Sequence, residues 1–502
     1  MPSLTQPTGE AASNTPGYQK ARDWLASGVK GLLIGGRWVD AVSGKSFETL
    51  DPATEQTLAQ VAEADSADVD LAVIAARRAL EAPSWADISP HARTRVLLKI
   101  ADAVEQHADE LAVLETLDNG VPLSAATGRA VQVAEIFRYY AGWPSKIYGT
   151  TNPTEASRFL YMLREPMGVC GLINAWNVPL VMAAVKIAPT LACGNTAVLK
   201  PAEQSPLTTL RLAEIIEGVG LPPGVLNVLP GFGATAGAAI AGHPDIDKVA
   251  FTGSTAVGRQ ILQASTVNMK KVTLELGGKS PNIVFPDADV DKALEAAVSA
   301  FCRNSGQICS AGTRLFVHES LHDEASERVA QLASAWKVGS PFDADTQLGP
   351  LISRRQMERV LSYVDAGTEA GARLVLGGSR VGTRGYFVEP TVFSGVANDM
   401  KIAREEIFGP VLSIIPFKDE NDAVLKGNDS EYGLAAAVWT RDVSRAHRVA
   451  RALKSGRVWI NTYAEADPVM SVGGYKQSGF GREMGAESIE AYTQTKSVLM
   501  RL

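Results

Sequence analysis

The sequence predicts an α/β protein built on a parallel sheet, on three observations. Short apolar runs bounded by glycine or proline recur mid-chain: VCGLI (169–173), TAVLK (196–200), LNVLP (226–230), KVAFTG (248–253) and KVTLEL (271–276). Stretches of helical periodicity, about ten to fifteen residues long, lie between them. A second series repeats the alternation with NIVF (282–285), RLFVH (314–318) and RLVLGG (373–378). Strands alternating with helices are the pattern of βαβ units.

The elements follow in chain order. The start, MPSLTQPTGEAASNTPG, is small, polar and proline-containing, and residues 1–24 are expected to form a mobile extension. It lacks a basic stretch followed by an apolar one, so no secretory signal is predicted. Residues 67–82 predict a helix, with Leu71, Ile74, Ala75 and Leu80 at helical spacing and Ser66 as N-cap. Asp65, Asp68 and Asp70 load acid at its positive end. A second helical stretch runs from Ser89 to about Leu117. Ser205 as N-cap, Pro206 at the first helical position and Gly218 or Gly220 at the end bracket a helix between the second and third runs. Another helix follows Asp289.

At 502 residues the chain predicts roughly three domains or lobes. Its 48 Lys+Arg against 55 Asp+Glu give a net charge of −7, which argues against a nucleic-acid partner. The four cysteines, Cys170, Cys193, Cys302 and Cys309, are too few to need a disulfide framework in so long a chain, and point to a reducing compartment. Residues 166–185 carry no charge, but Pro166, Gly168, Asn174, Asn177 and Pro179 would leave polar groups unsatisfied in lipid. The expectation is a soluble, cytoplasmic protein with no membrane or metal partner.

Four stretches offer chemistry. In GQICSAGTR (306–314), Cys309 is flanked by Gly306, Ser310 and Gly312, where backbone N–H groups approach a ligand. An inert buried thiol is the alternative on the residues alone, and is the expectation for Cys170, Cys193 and Cys302. Glu275 sits in an apolar run before Gly277-Gly278, where burial would raise its pKa toward general-base work; an exposed edge-strand Glu fits equally. Asn177, before Val178-Pro179, offers an amide to an oxyanion or to its own turn. Lys186, the sole charge on the helix that follows, would ordinarily snorkel to solvent. For phosphates, FTGSTAVG (251–258) places Gly253, Ser254 and Gly258 at a helix start, and GFGATAG (231–237) is a looser candidate. Lys200 and Glu203 follow another strand run, where an acidic residue suits a ribose with a free 2′-OH.

Taken together and in order, AWNVP, VLKPAEQSP, FTGSTAVG, LELGGKSPNIV, GQICSAGTR, REEIFGPV and GGYKQSGFGREMG resemble the NAD(P)-dependent aldehyde dehydrogenase superfamily, from about Gly35 to Lys496. The resemblance implies Cys309 as nucleophile, Asn177 with the Cys309 N–H as oxyanion donors, and Glu275 as the base that activates the hydrolytic water. It implies NAD as cofactor: Lys200 and Glu203 on the adenosine ribose, Gly253, Ser254 and Gly258 at the pyrophosphate, and Trp176 nearby. Glu406 would hold the nicotinamide ribose and Phe408 would position the ring. Lys186 and Glu483 match a pair proposed to relay the Glu275 proton. A glutamate at 275 separates hydrolytic members from relatives that acylate coenzyme A, and Glu203 leans toward NAD.

The resemblance further implies a doubly wound NAD-binding domain (25–145 and 168–277) and an α/β catalytic domain (278–478). A β oligomerisation element (146–167 and 479–502) would complete a homodimer or homotetramer. The chain departs from the family pattern at Val178, Val185 and Val472, where aromatic residues are common, which widens the expected substrate tunnel. Ala256 and Ala175 also depart, without touching the chemistry. The expected substrate is a bulky, aromatic or branched aldehyde. A charged semialdehyde is the alternative within enzymes, and a non-catalytic structural protein, expected to have lost Cys309 or Glu275, is the alternative outside them.

Overall fold

The computed structural model describes residues 14–502. Its first sheet runs, edge to edge, Gly479–Phe480, Lys271–Glu275, Lys248–Thr252, Val169–Ile173, Thr196–Lys200, Leu226–Val228, Leu32–Ile34 and Arg37–Val39. The five strands from Lys271–Glu275 to Leu226–Val228 are parallel, and the others add antiparallel at the edges. Val169–Ile173, Thr196–Lys200 and Lys248–Thr252 are buried along their whole length, which is why each is a continuous apolar run. The chain lays strands outward from Val169–Ile173 in one direction, then returns and continues on its other side with Lys248–Thr252. The crevice at the carboxyl ends of strands flanking such a reversal is where open α/β sheets bind ligands.

A second sheet has the order Arg373–Leu376, Thr391–Ser394, Val411–Phe417, Arg314–His318, Pro281–Val284, Ala435–Trp439 and Arg457–Ile460, parallel except at its first edge. Glu275 ends a strand of the first sheet and Pro281 begins one of the second. The short link between them sets carboxyl ends of the first sheet near amino ends of the second. Residues 150–152 and 158–166 form a hairpin, extended by Thr493–Arg501 into a separate three-stranded sheet.

The structure corrects several local expectations. Of the expected mobile extension, residues 1–13 lie outside the described residues, whereas Tyr18–Ala26 is a helix that buries Ala21 and Leu25. Trp24 Nε1 anchors it, donating to Glu214 Oε2 at 2.7 Å. Helix Ser66–Glu81 is capped by Asp65, which accepts from the Ala67 N–H while Asp68 accepts from Asp65, so Ser66 is its first residue and not its cap. Its buried face is Val69, Ala72, Val73, Ala76 and Ala79; Leu71 and Ile74 are exposed. Small residues let this helix lie close on the sheet, and they won over the larger apolar stripe. The stretch from Ser89 is two helices, Pro90–Gln106 and Ala108–Asn119, the first capped by Ser89. Helix Leu207–Gly218 has no side-chain cap of its own: its first N–H donates to Asp118 Oδ2 at 2.8 Å, and Ser205 Oγ donates elsewhere, to the Trp176 carbonyl. No helix among the described residues is long and apolar enough to cross a membrane.

Candidate active site

Cys309 lies in the loop between the turn Arg303–Gly306 and strand Arg314–His318. Three successive residues of that turn, Asn304, Ser305 and Gly306, are left-handed, with φ of 51°, 55° and 71°. Such a run is strained for side-chain-bearing residues and needs outside support. Asn304 supplies much of it, accepting from Arg129 Nη2 (2.8 Å) and donating to the Asn177 carbonyl (2.9 Å). At Gly306 no Cβ is possible, since it would come within 2.1 Å of the Gly409 carbonyl oxygen. Asn177 in turn donates from Nδ2 to the Gln307 carbonyl at 2.9 Å, tying its amide to the loop and leaving its second N–H without a partner among the described residues. Of the four cysteines only Cys309 is partly exposed; Cys170, Cys193 and Cys302 are buried. Burial, with Glu406 and Glu275 nearby, pushes the Cys309 thiol up to about 12.

Glu275 is buried rather than on an exposed edge, because Gly479–Phe480 pairs outside its strand. Burial and then the Glu483 carboxylate raise its pKa well above the ordinary range, with Lys186 opposing. Lys186 does not snorkel: it is fully buried, 2.6 Å from Glu483 Oε1 and 2.6 Å from Thr252 Oγ1. Its helix, Pro179–Ala192, is buried around nearly its whole circumference, so no route to water exists for the ammonium.

The cofactor candidates gather along the first sheet's carboxyl ends. Lys200 Nζ donates to the carbonyls of Pro201 and Gly231 and lies 3.1 Å from Glu203 Oε2, so GFGATAG serves Lys200 through Gly231. The Gly253 N–H donates to the Glu275 carbonyl, and Ser254 caps helix Thr255–Ala264 through the Val257 N–H. A Cβ on Gly258 would meet Leu276 at 2.8 Å, so glycine lets this helix seat against the sheet. The Trp176 ring meets Phe408 edge-on at 5.1 Å, and Phe408 itself holds φ 60°. Glu406 Oε1 accepts from the Gly278 N–H at 3.0 Å, and burial raises its carboxyl to about 7. Asn174, at the end of the central strand, is buried with both side-chain polar atoms unpartnered. A capped helix start, a carboxylate beside a lysine, and an orphaned amide at a sheet reversal fit a dinucleotide.

A family model, "Aldehyde dehydrogenase family", matches residues 38–498. The chain belongs to the aldehyde dehydrogenase family. The Arabidopsis thaliana relative "Aldehyde dehydrogenase family 2 member B4, mitochondrial" is 51% identical over 473 residues, 94% of this chain and 88% of that one. The solved NAD+ complex of a Bacillus cereus aldehyde dehydrogenase is 45% identical, with a TM-score of 0.94 and full coverage of both chains. A P. syringae indole-3-acetaldehyde dehydrogenase variant, solved with NAD+ and IAA, is 43% identical with a TM-score of 0.94, covering 96% of this chain and 98% of that one.

This aldehyde dehydrogenase contains further site residues that sequence reasoning missed. Arg457 heads the edge strand Arg457–Ile460, with Nε and Nη2 buried and unpartnered, and its charge opposes the upward shifts of both Cys309 and Glu275. Lys279 is buried with Nζ unpartnered, and burial lowers it to about 7. Tyr463 donates from its hydroxyl to the Ser310 carbonyl at 2.7 Å, bracing the residue after the thiol. A lone arginine heading an apolar run and a lysine after Gly277-Gly278 were the available signals.

Proposed function

We propose that this chain oxidises an aldehyde to the carboxylic acid with NAD+. The observation that carries this reading is the Asn177 amide tied to the loop of Cys309, a loop packed so closely on the chain just after Glu275 that a Cβ on Gly278 would meet the Cys309 carbonyl oxygen at 2.4 Å. Glu275 takes the Cys309 thiol proton as Sγ adds to the aldehyde carbon, and the oxyanion accepts from the free Asn177 N–H and the Cys309 N–H. Lys200 and Glu203 would hold the adenosine ribose, Gly253, Ser254 and Gly258 the pyrophosphate beside Trp176, and Glu406 and Phe408 the nicotinamide end. NAD+ held there would supply the hydride acceptor for the thiohemiacetal carbon, which becomes the thioester on Sγ. Glu275 then removes a proton from water, the hydroxide displaces Sγ, and the acid departs. Lys186 and Glu483 set the charge around Glu275 and carry its proton away.

The reading extends to the division into NAD-binding, catalytic and oligomerisation regions at the boundaries given above. Phe159, Leu163, Leu499 and Met500, exposed on the three-stranded sheet, support a homo-oligomeric contact there. Val178 and Val472 support a bulky, aromatic or branched aldehyde, as does the activity named for the P. syringae relative. The test is NAD+ reduction with an aldehyde panel, wild type beside Cys309→Ala. Benzaldehyde is expected to exceed acetaldehyde in kcat/KM, and Cys309→Ala to abolish turnover. Full activity in that variant would refute the mechanism.

A further inference from the structure

A cavity of about 550 Å³ opens beside the nucleophile loop, between helix Leu123–Ala141 and the turn Arg303–Gly306. Val178 and Ile308, the neighbours of Asn177 and Cys309, form part of its apolar wall. Its charged lining residues are Arg129 and Arg303, and no carboxylate lines it. Arg129 is neutralised, with Nη1 2.6 Å from Glu115 and Nη2 bonded to Asn304. Arg303 is exposed, and its guanidinium has no hydrogen-bond or ion-pair partner among the described residues. Helix Leu123–Ala141 adds to the positive potential, since it begins at Pro122 without a side-chain cap and Ser124 and Ala125 of its first turn face the cavity.

We propose that the substrate carries an anionic group, such as a carboxylate, at the end remote from its aldehyde, and that Arg303 receives it. This rests on the aldehyde-oxidation reading and narrows it to a substrate with an apolar body and an anionic tail. An uncompensated guanidinium lining a cavity of mixed polar and apolar character attracts anions over distance and binds carboxylate through paired N–H donors on contact. Arg129 cannot take that role, because both terminal nitrogens are engaged.

The test compares kcat/KM for 4-formylbenzoate and neutral 4-formylbenzamide with the full chain and saturating NAD+. The readout is the ratio within each variant, so losses of fold or general activity cancel. Wild type is expected to favour the carboxylate by about tenfold, equivalent to about 1.4 kcal/mol, and less at high salt. Arg303→Lys should retain most of this preference, Arg303→Gln should bring the ratio to about one, and Arg303→Glu should reverse it. A wild-type ratio near one, or a ratio unchanged by Arg303→Gln, overturns the anion subsite while leaving aldehyde oxidation standing. Absence of NAD+ reduction with both compounds and with benzaldehyde overturns the underlying reading itself.

Discussion

The ammonium of Lys186 lies 2.6 Å from the carboxylate of Glu483, and neither side chain is more than 7% exposed. Removing one partner leaves an uncompensated charge in the core. Glu483→Gln should therefore destabilise the protein by about 3–5 kcal/mol, seen as a lower urea midpoint. Replacing both residues with methionine should recover much of that loss; a double variant as unstable as the sum of the singles would show that the pair is not the cause.

The same pair adjusts the pKa of Glu275, which burial raises first. In the proposed mechanism Glu275 works deprotonated, so activity should be lost as pH falls through its raised pKa, and the acid limb of kcat/KM should lie well above the ordinary carboxylate range. Lys186→Met removes the cation that opposes the upward shift and should move this limb to higher pH. Glu483→Gln removes the like charge and should move it lower. Shifts of the same sign in both variants would contradict this electrostatic picture.

Asn177→Ala should lower kcat by about 10²–10³ with a smaller effect on KM, because in the proposed mechanism the amide acts where charge develops. Steady-state kinetics decide it. A change confined to KM would assign Asn177 to substrate binding alone.

Burial, Glu406 and Glu275 push the Cys309 thiol up to about 12, so it should be protonated at neutral pH. Its alkylation by iodoacetamide should accelerate about tenfold per pH unit across the range from 7 to 10. Glu406→Gln removes a negative neighbour and should speed alkylation at each pH. A plateau near pH 8, read from mass-spectrometric time courses, would show that other groups stabilise the thiolate.

The buried parallel strands were legible because burial on both faces makes each a plain apolar run with glycine or proline at its ends. Cys309, Glu275 and Asn177 were legible as candidates from their flanking residues, and their order gave the family. What stayed hidden depends on partners distant along the chain. Helix Leu207–Gly218 is capped by Asp118, 89 residues earlier, so the local Ser205 signal misled. Lys186 is held inside by a carboxylate from the C-terminal region, and no local rule separates that from a snorkelling lysine. The helix at Ser66–Glu81 turned its small residues inward, a choice made by the sheet beneath it. Arg303 follows an apolar helix with no local mark of a role, because its cavity is completed by residues of helix Leu123–Ala141, far away in sequence.

Strand Gly479–Phe480 and Glu483 come from nearly the end of the chain, yet they cover the strand bearing Glu275 and neutralise Lys186. Without residues 479–483 the fold would keep Cys309, Asn177 and Glu275 but would enclose the Lys186 ammonium without its counter-ion, beside a strand with an open edge.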